Sequence, residues 1–296
     1  MTRPSYGRRE FVKLAGLAGA VFASALPGAS RALQADDFFF VQLSDAHWGF
    51  AGPPNPDARG TLPKAIAAVN SLTRQPDFVV FTGDLTHSTD DPAERRTRMR
   101  EVKQLVGELR VKTLHFMPGE HDAALDDGLA FREIFGPTHY TFDHRGVHFI
   151  VLDNVSDPHA AIGEAQLAWL EADLKRQRSD APIVVFTHRP LFDLYPQWDW
   201  ATRDGAQAIA LLMPHPNVTV FYGHIHQEHH HMTGHIAHHA AKSLIFALPQ
   251  PGAAPKRLPL PWDPAAPYRG LGFRGVDVRD APPAETLTEY PVQGQG

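Results

Sequence analysis

The chain has 296 residues, with 28 basic and 33 acidic side chains and a formal net charge of −5. It is long enough for one large or two small domains and carries no broad basic surface for nucleic acid. It contains no cysteine, which excludes disulfides, zinc–thiolate sites and cysteine nucleophiles; its 18 histidines, concentrated in the second half, point to nitrogen and oxygen ligands for manganese, iron, zinc or nickel.

The chain opens with YGRREFVKLAG, in which Arg8 and Arg9 precede Phe11, Val12 and Lys13. A weakly apolar stretch from Leu14 to Leu26 follows, and its 13 or so residues are too few to cross a hydrocarbon core that needs roughly 20. Paired arginines in this setting resemble a bacterial twin-arginine (Tat) export signal. Residues 1–35 are read as that leader, with cleavage near Ala32 or Ala35. The resemblance implies the Tat machinery as a partner, a periplasmic or secreted location, and no transmembrane anchor in the mature protein.

From residue 36 the pattern alternates buried strands with amphipathic helices. FFFVQLSD (38–45) is a short apolar run ending in a carboxylate, and Leu62, Ile66, Val69 and Leu72 then recur at helical spacing. DFVVFTGD (77–84) is a second such strand. A charged helix around Arg95–Leu109 leads into KTLHFMPGEHD, and YTFDHRGVHFIVLDN reads as a hairpin turning at Arg145-Gly146. EAQLAWLEADLKRQ is helical, APIVVFTHRP is a strand, a helix around Asp204–Met213 follows, and NVTVFYGHIH is the next strand. KSLIFALP is expected to supply a late strand and GLGFRGVDV a closing one. Residues 36–280 are read as one domain, and 281–296 as a disordered tail.

Helices between apolar strands argue for an α/β sandwich covered on both outer faces. Five of the strands end in Ser-Asp-x-His, Gly-Asp, Gly-Glu-His-Asp, Thr-His and Gly-His-x-His. Ligands gather beyond the carboxyl ends of strands in such folds, and a core needs no polar residues there. Any one fragment is weak: Asp45-x-His47 could be a cap, and Gly83-Asp84 a turn. In Gly223-His224-x-His226, alternate residues of a strand share a face, so both imidazoles are expected to reach one site.

Taken in order, the five fragments resemble the calcineurin-like metallophosphoesterases, whose pattern is D-x-H, G-D, G-N-H-(D/E), H and G-H-x-H. The resemblance runs from about Phe38 to Val278. Gly223-His224-x-His226-Gln227 and the single domain are similar to the class III cyclic-nucleotide phosphodiesterase branch. It implies a four-layer α-β-β-α sandwich of two mixed sheets with the metal site at the carboxyl ends of the strands. It implies two metal ions, from iron, manganese and zinc. Asp45, His47 and His226 would hold the first, Asp84 would bridge, and His188, His224 and residue 120 would hold the second. The implied activity is an exported phosphoesterase acting on small-molecule phosphomono- or diesters by attack of metal-activated hydroxide on phosphorus. His121 would be the general acid, with Asp122 orienting its ring.

One position departs from the pattern. Where the family has asparagine, a neutral amide, this chain has Glu120, which is charged and one methylene longer. Two divalent ions, about +4, would then face three carboxylates rather than two, favouring highly charged metal and weakening attraction for a phosphate dianion. Three readings follow: a hydrolase with altered metal preference, a metal-binding or redox protein on the phosphoesterase scaffold with little hydrolysis, or a one-metal protein. His229, His230, His231, His235, His238 and His239 form either an auxiliary metal site, an outer shell of imidazoles, or a polar hairpin beside the site. Tyr195, Trp198 and Trp200 border a substrate pocket or pack on the protein, and Trp48 and Phe50 share that ambiguity. Arg189 could pair with phosphate.

Overall fold

Strand β1 (Phe38–Leu43) is buried along its whole length, and its alternating side chains enter two different cores. Phe38 and Phe40 face an inter-sheet core with Phe78, Phe149, Phe186 and Phe221. Phe39, Val41 and Leu43 pack on the other side with Leu62, Ile66, Val69, Met99 and Val102, which lie on helices α1 (Ala58–Asn70) and α2 (Pro92–Val106). This two-sided burial is why the run is continuously apolar rather than alternating. The computed structural model describes residues 37–279 and 284–292; the expected leader, residues 1–35, lies outside them, as do 281–283 and 293–296 of the expected tail.

The remaining strands are β2 (Phe78–Thr82), β3 (Leu114–Met117), β4 (Tyr140–His144), β5 (Val147–Val151), β6 (Ile183–Phe186), β7 (Val218–Tyr222), β8 (His229–Thr233), β9 (Ile236–Ala240), β10 (Gly272–Arg279) and β11 (Ala284–Pro291). The remaining helices are α3 (Glu120–Ala123), α4 (Leu129–Ile134), α5 (Glu164–Leu174) and α6 (Gly205–Leu212). One sheet has the order β11-β10-β1-β2-β3 and the other β4-β5-β6-β7-β9-β8. Both are mixed: β1, β2 and β3 run parallel while β10 and β11 are antiparallel; β5, β6, β7 and β9 run parallel with antiparallel β4 and β8 at the edges. Leu167, Leu170 and Leu174 of α5 and Ala208, Ile209 and Leu212 of α6 cover the second sheet's outer face. The result is the four-layer α-β-β-α sandwich. Across the middle, Phe40 stacks on Phe78 at 4.9 Å and meets Phe149 and Phe186 edge-on, the arrangements that ring quadrupoles prefer.

The β4–β5 hairpin turns at Arg145 (φ 46°) and Gly146 (φ 80°), where two consecutive positive φ values suit the twist of paired strands. Two expectations are corrected. Residues 284–291 are not a disordered tail: they pair along all of β10, from Gly272↔Pro291 to Arg279↔Ala284, and Leu287 joins the inter-sheet core. KSLIFALP is not a strand. The second sheet takes β9 beside β7 instead, and Leu244 donates its N–H to Ser44 O at 3.1 Å. The segment crosses the carboxyl ends of the strands, with Leu244 and Ile245 fully buried as its anchors.

The histidine-rich segment is the edge hairpin β8–β9, with His230 opposite His239 and His231 opposite His238. His238 is fully buried, neither ring nitrogen has a hydrogen-bond partner among the described residues, and Phe192 lies against it at 5.1 Å. Burial, and then repulsion from His231, lower its pKa from 6.5 to about 3. The folded state therefore keeps His238 neutral where the unfolded chain protonates it, so stability present above pH 6.5 is lost as pH falls through the window toward 3. One pKa unit corresponds to about 1.4 kcal/mol, so about 2 kcal/mol should disappear by pH 5. His238→Leu should remove that portion of the loss in urea unfolding at pH 7 and pH 5; an unchanged pH dependence would contradict it.

Candidate metal centre

The parallel strands β1, β2, β3, β6 and β7 all point their carboxyl ends to one edge of the sandwich, and the loops beyond them are laced together. Asp45 N donates to Gly83 O, His47 N to Asp84 O, and Gly223 N to His188 O, at 2.8–3.0 Å. Asp45 (φ 55°), His47 (φ 43°), Asp84 (φ 50°), His224 (φ 66°) and His226 (φ 53°) are all left-handed. This conformation costs a non-glycine residue about 1–3 kcal/mol and persists only where surrounding contacts impose it. Five of the seven expected ligands thus stand where the chain turns abruptly off a strand. At Gly119 the backbone comes so close to Asp84 that an added Cβ would overlap its carboxylate, which accounts for glycine before Glu120.

These residues form two neighbouring groups. Asp45, His47 and His226 make one, and Glu120, His188 and His224 the other, each with ligand atoms within 4.8 Å of one another. Asp84 stands between them: its Oδ2 is 3.4 Å from His47 Nε2 and 3.4 Å from His188 Nε2. All seven sequence-derived ligands are therefore brought together, with His226 in the first group and His224 in the second, as the resemblance implied. Only the strand-face reason for expecting both at one site is corrected: β7 ends at Tyr222, and the two histidines stand in left-handed turns beyond it, either side of Ile225.

The donor set fits two cations. His188 Nδ1 donates to Thr82 O at 2.7 Å and His226 Nδ1 to Phe246 O at 2.8 Å. A carbonyl only accepts, so both rings carry the proton on Nδ1 and turn an Nε2 lone pair inward. His188 Nε2 lies 2.9 Å from Glu120 Oε2, yet neither atom is in hydrogen-bonding geometry with any partner among the described residues; the two converge on a point that a proton or a metal ion would fill. Burial, and then His121, His226 and His87, hold His47 well below its ordinary pKa, keeping it a neutral donor. Burial opposes ionisation of Glu120, but His224 and His188 outweigh it and hold the carboxyl well below its usual range. Burial also opposes charge on His188, which Asp84 and Glu120 nonetheless raise. Two buried carboxylates and the half-buried Glu120 demand positive charge here, and metal ions compete with protons to supply it. Manganese, iron and zinc all accept such carboxylate–imidazole sets.

His121 projects beside the pair, with Nε2 4.0 Å from Asp84 Oδ2. Asp122 does not orient it, which corrects the expected pairing. Successive helix residues point about 100° apart, and the Asp122 carboxylate faces away. It accepts from Leu85 N, Thr86 N, Thr86 Oγ1 and Gly119 N at 2.8–3.0 Å, tying the Glu120 turn to the Asp84 loop. The His121 ring is held instead by Ser88, through Oγ at 2.8 Å and N at 3.2 Å from Nδ1, and stacks on His87 at 4.8 Å. Ser88 and His87 escaped the sequence reading; their signal was Thr-His-Ser directly after Gly-Asp-Leu, a polar run at a strand's carboxyl end.

The other candidates separate. Trp198 and Trp200 are buried in a cluster with Tyr222 and Ile225, so they pack rather than line the site. Trp48 is buried and donates to Glu101. Phe50 stands near the centre, 5.2 Å from His87 and 5.1 Å from Phe246. No histidine from 229 to 239 belongs to a three-ligand group among the described residues. His230 pairs with His239, His229 with the Tyr222 hydroxyl, and His235 with His215 O. No described helix is long and apolar enough to cross a membrane.

A family model described as calcineurin-like phosphoesterase matches residues 40–228. Among curated proteins, the chain is 29% identical over 177 residues to the glycerophosphodiester phosphodiesterase GpdQ of Enterobacter lignolyticus, covering 54% of this chain and 60% of that one. It is 29% identical over 184 residues to the serine/threonine-protein phosphatase CPPED1 of Homo sapiens, covering 55% and 58%. The matched stretch thus spans under two thirds of these relatives' length. The fold is similar to that of purple acid phosphatase PPD1 from yellow lupin (Lupinus luteus), with a TM-score of 0.65, 14% identity, and coverage of 90% of this chain and 54% of that one.

Proposed function

The chain belongs to the calcineurin-like phosphoesterase family, and from that premise we propose that it is a phosphoester hydrolase with a dinuclear metal centre. The observation that carries the reading is Asp84 Oδ2 standing 3.4 Å from a histidine of each ligand group, since a shared carboxylate lets two cations sit roughly 4 Å apart. Asp45, His47 and His226 would hold one ion, His188, His224 and Glu120 the other, with Asp84 shared. When bound, the metals supply Lewis acidity toward the phosphoryl oxygens and an activated water. Iron, manganese and zinc fit the donor set, and phosphomono- and diesters both remain in scope: one relative is named a phosphodiesterase and another a phosphatase.

The chain's own residues supply the rest. His121 directs Nε2 toward the centre, the atom from which a proton reaches the leaving oxygen. The Ser88 N–H contact leaves the proton of the neutral ring on Nε2, facing the centre, and the Ser88 hydroxyl can switch from donating to accepting at Nδ1 when the ring takes up the second proton it needs to act as an acid. Ser88→Ala should lower kcat roughly tenfold for alkyl phosphoesters, because orienting partners contribute on that scale, and much less for p-nitrophenyl esters, whose leaving group needs no proton. Equal losses on both substrates would argue against the acid role.

A panel of phosphomonoesters and diesters, assayed with the metals found by elemental analysis of protein from its own host, tests the proposal. Absence of turnover with both ions bound would reject it. It would favour the second reading, a metal-binding or redox protein, which Glu120's contacts with both His188 and His224 support. Export by the Tat route belongs to the same proposal on the strength of Arg8 and Arg9. Changing both to lysine should retain the protein in the cytoplasm, and an unchanged location would overturn that part.

A further inference from the structure

On the Glu120 side of the centre lies a pocket of about 350 Å³, with Glu120, Arg189, Asp199, Arg203, His159 and Ala160 in its wall. That volume suits a small ligand group. Its acids are already engaged. Glu120 meets His188 and His224, Asp157 Oδ1 accepts from His159 N at 2.7 Å, and Asp199 Oδ2 accepts from Arg189 Nη2 at 3.1 Å. Its cations are only partly matched. Arg189 is 5% exposed, yet Nε and Nη1 have no hydrogen-bond partner among the described residues; Nε stands 3.8 Å from Glu120 Oε2, an ion-pair distance beyond hydrogen-bonding reach. A buried guanidinium with two idle donors is costly unless an acceptor arrives. Arg203 is exposed, and its guanidinium has no ion pair or hydrogen bond among the described residues.

The wall that carries Arg203 is fixed in place. Arg203 N donates to Ala160 O at 2.9 Å, and the Asp204 carboxylate accepts from Ile162 N and Gly163 N, each at 2.8 Å. Ala160 itself is held at φ 55°, a conformation an alanine adopts only under constraint. A planar guanidinium fork is matched to carboxylate and phosphate oxygens.

We propose that this pocket is a subsite for a second anionic group, carboxylate or phosphate, on the phosphoester substrate, with Arg189 as its buried anchor and Arg203 at its mouth. The proposal rests on the phosphoester-hydrolase reading and adds the substrate class: a phosphoester bearing a second anion a few bonds from the first. Neutral alkyl esters would use the metal centre but leave the arginines unmatched.

The test is calorimetry on the metal-loaded full chain with three non-hydrolysable ligands: propylphosphonate, 3-phosphonopropanoate and propane-1,3-bisphosphonate. The second anionic group should tighten binding at least tenfold, and the carboxylate and phosphonate arms identify which anion is preferred. Arg203→Ala should remove roughly fivefold or more of that gain, as expected for a charge-assisted contact at a partly solvated mouth, and leave propylphosphonate unaffected. Equal binding of the three ligands, or a gain that survives Arg203→Ala, would overturn the subsite. Hydrolysis of propyl phosphate and of methyl propyl phosphate is read separately: absence of both overturns the phosphoester-hydrolase reading, whereas turnover of either together with equal binding overturns the subsite alone.

Discussion

Replacing Glu120 with asparagine should weaken uptake of the second metal ion by about 100-fold and lower KM for a phosphomonoester dianion. Glu120 touches His188 and His224 at 2.9 Å each, so its carboxylate belongs to that ion's ligand group. Removing one negative charge about 5 Å from a divalent cation, at an effective dielectric near 20, removes about 6–7 kcal/mol of attraction, of which the amide oxygen that remains and the relieved carboxylate desolvation return roughly half. Two divalent ions with three carboxylates leave about +1 facing the substrate, and two carboxylates leave about +2, so the dianion gains what the metal loses. Calorimetric metal titration and steady-state kinetics at saturating metal measure the two effects. Equal metal affinity and equal KM in both proteins would mean that the carboxylate does not tune the centre.

Asp122→Ala should cost about 3–5 kcal/mol of stability. The buried carboxylate accepts from three backbone N–H groups and one hydroxyl, and alanine leaves all of them without an acceptor in a dry site, at about 1–3 kcal/mol each before relaxation. The loss should extend to metal retention, because the same contacts hold the Glu120 turn against the Asp84 loop. Urea unfolding of the wild type, Asp122→Ala and Asp122→Asn gives the measurement. Asparagine keeps one acceptor oxygen and should lose less. A protein of wild-type stability with lowered kcat would instead return Asp122 to the role of a partner for His121.

Most of the ligand set was legible because Asp45, Asp84, His188 and His224 each stand just past an apolar strand, and caps or turns that explain one of them singly do not explain all of them in order. The hairpin at Arg145-Gly146 was legible because its turn chemistry is local. β11 was not: Leu287 is its one buried side chain among the described residues, and a polar edge strand next to β10 has little periodicity to read. KSLIFALP misled for the opposite reason. Its apolar residues are anchors for a loop crossing the site, and composition alone does not separate a buried loop from a short strand.

By itself the sequence determined the layer architecture and the kinds of ligand at each strand end, because strand burial and residue chemistry are written position by position. Tertiary structure decided where each side chain points. Left-handed turns at His224 and His226 divide one motif between two ligand groups. Asp122 turns from His121 to the backbone of the Asp84 loop, and Ser88 takes its place. Arg189 and Arg203, from a strand end and a loop 14 residues on, meet across one pocket. These outcomes depend on backbone dihedrals fixed by distant segments, so no local spacing encodes them.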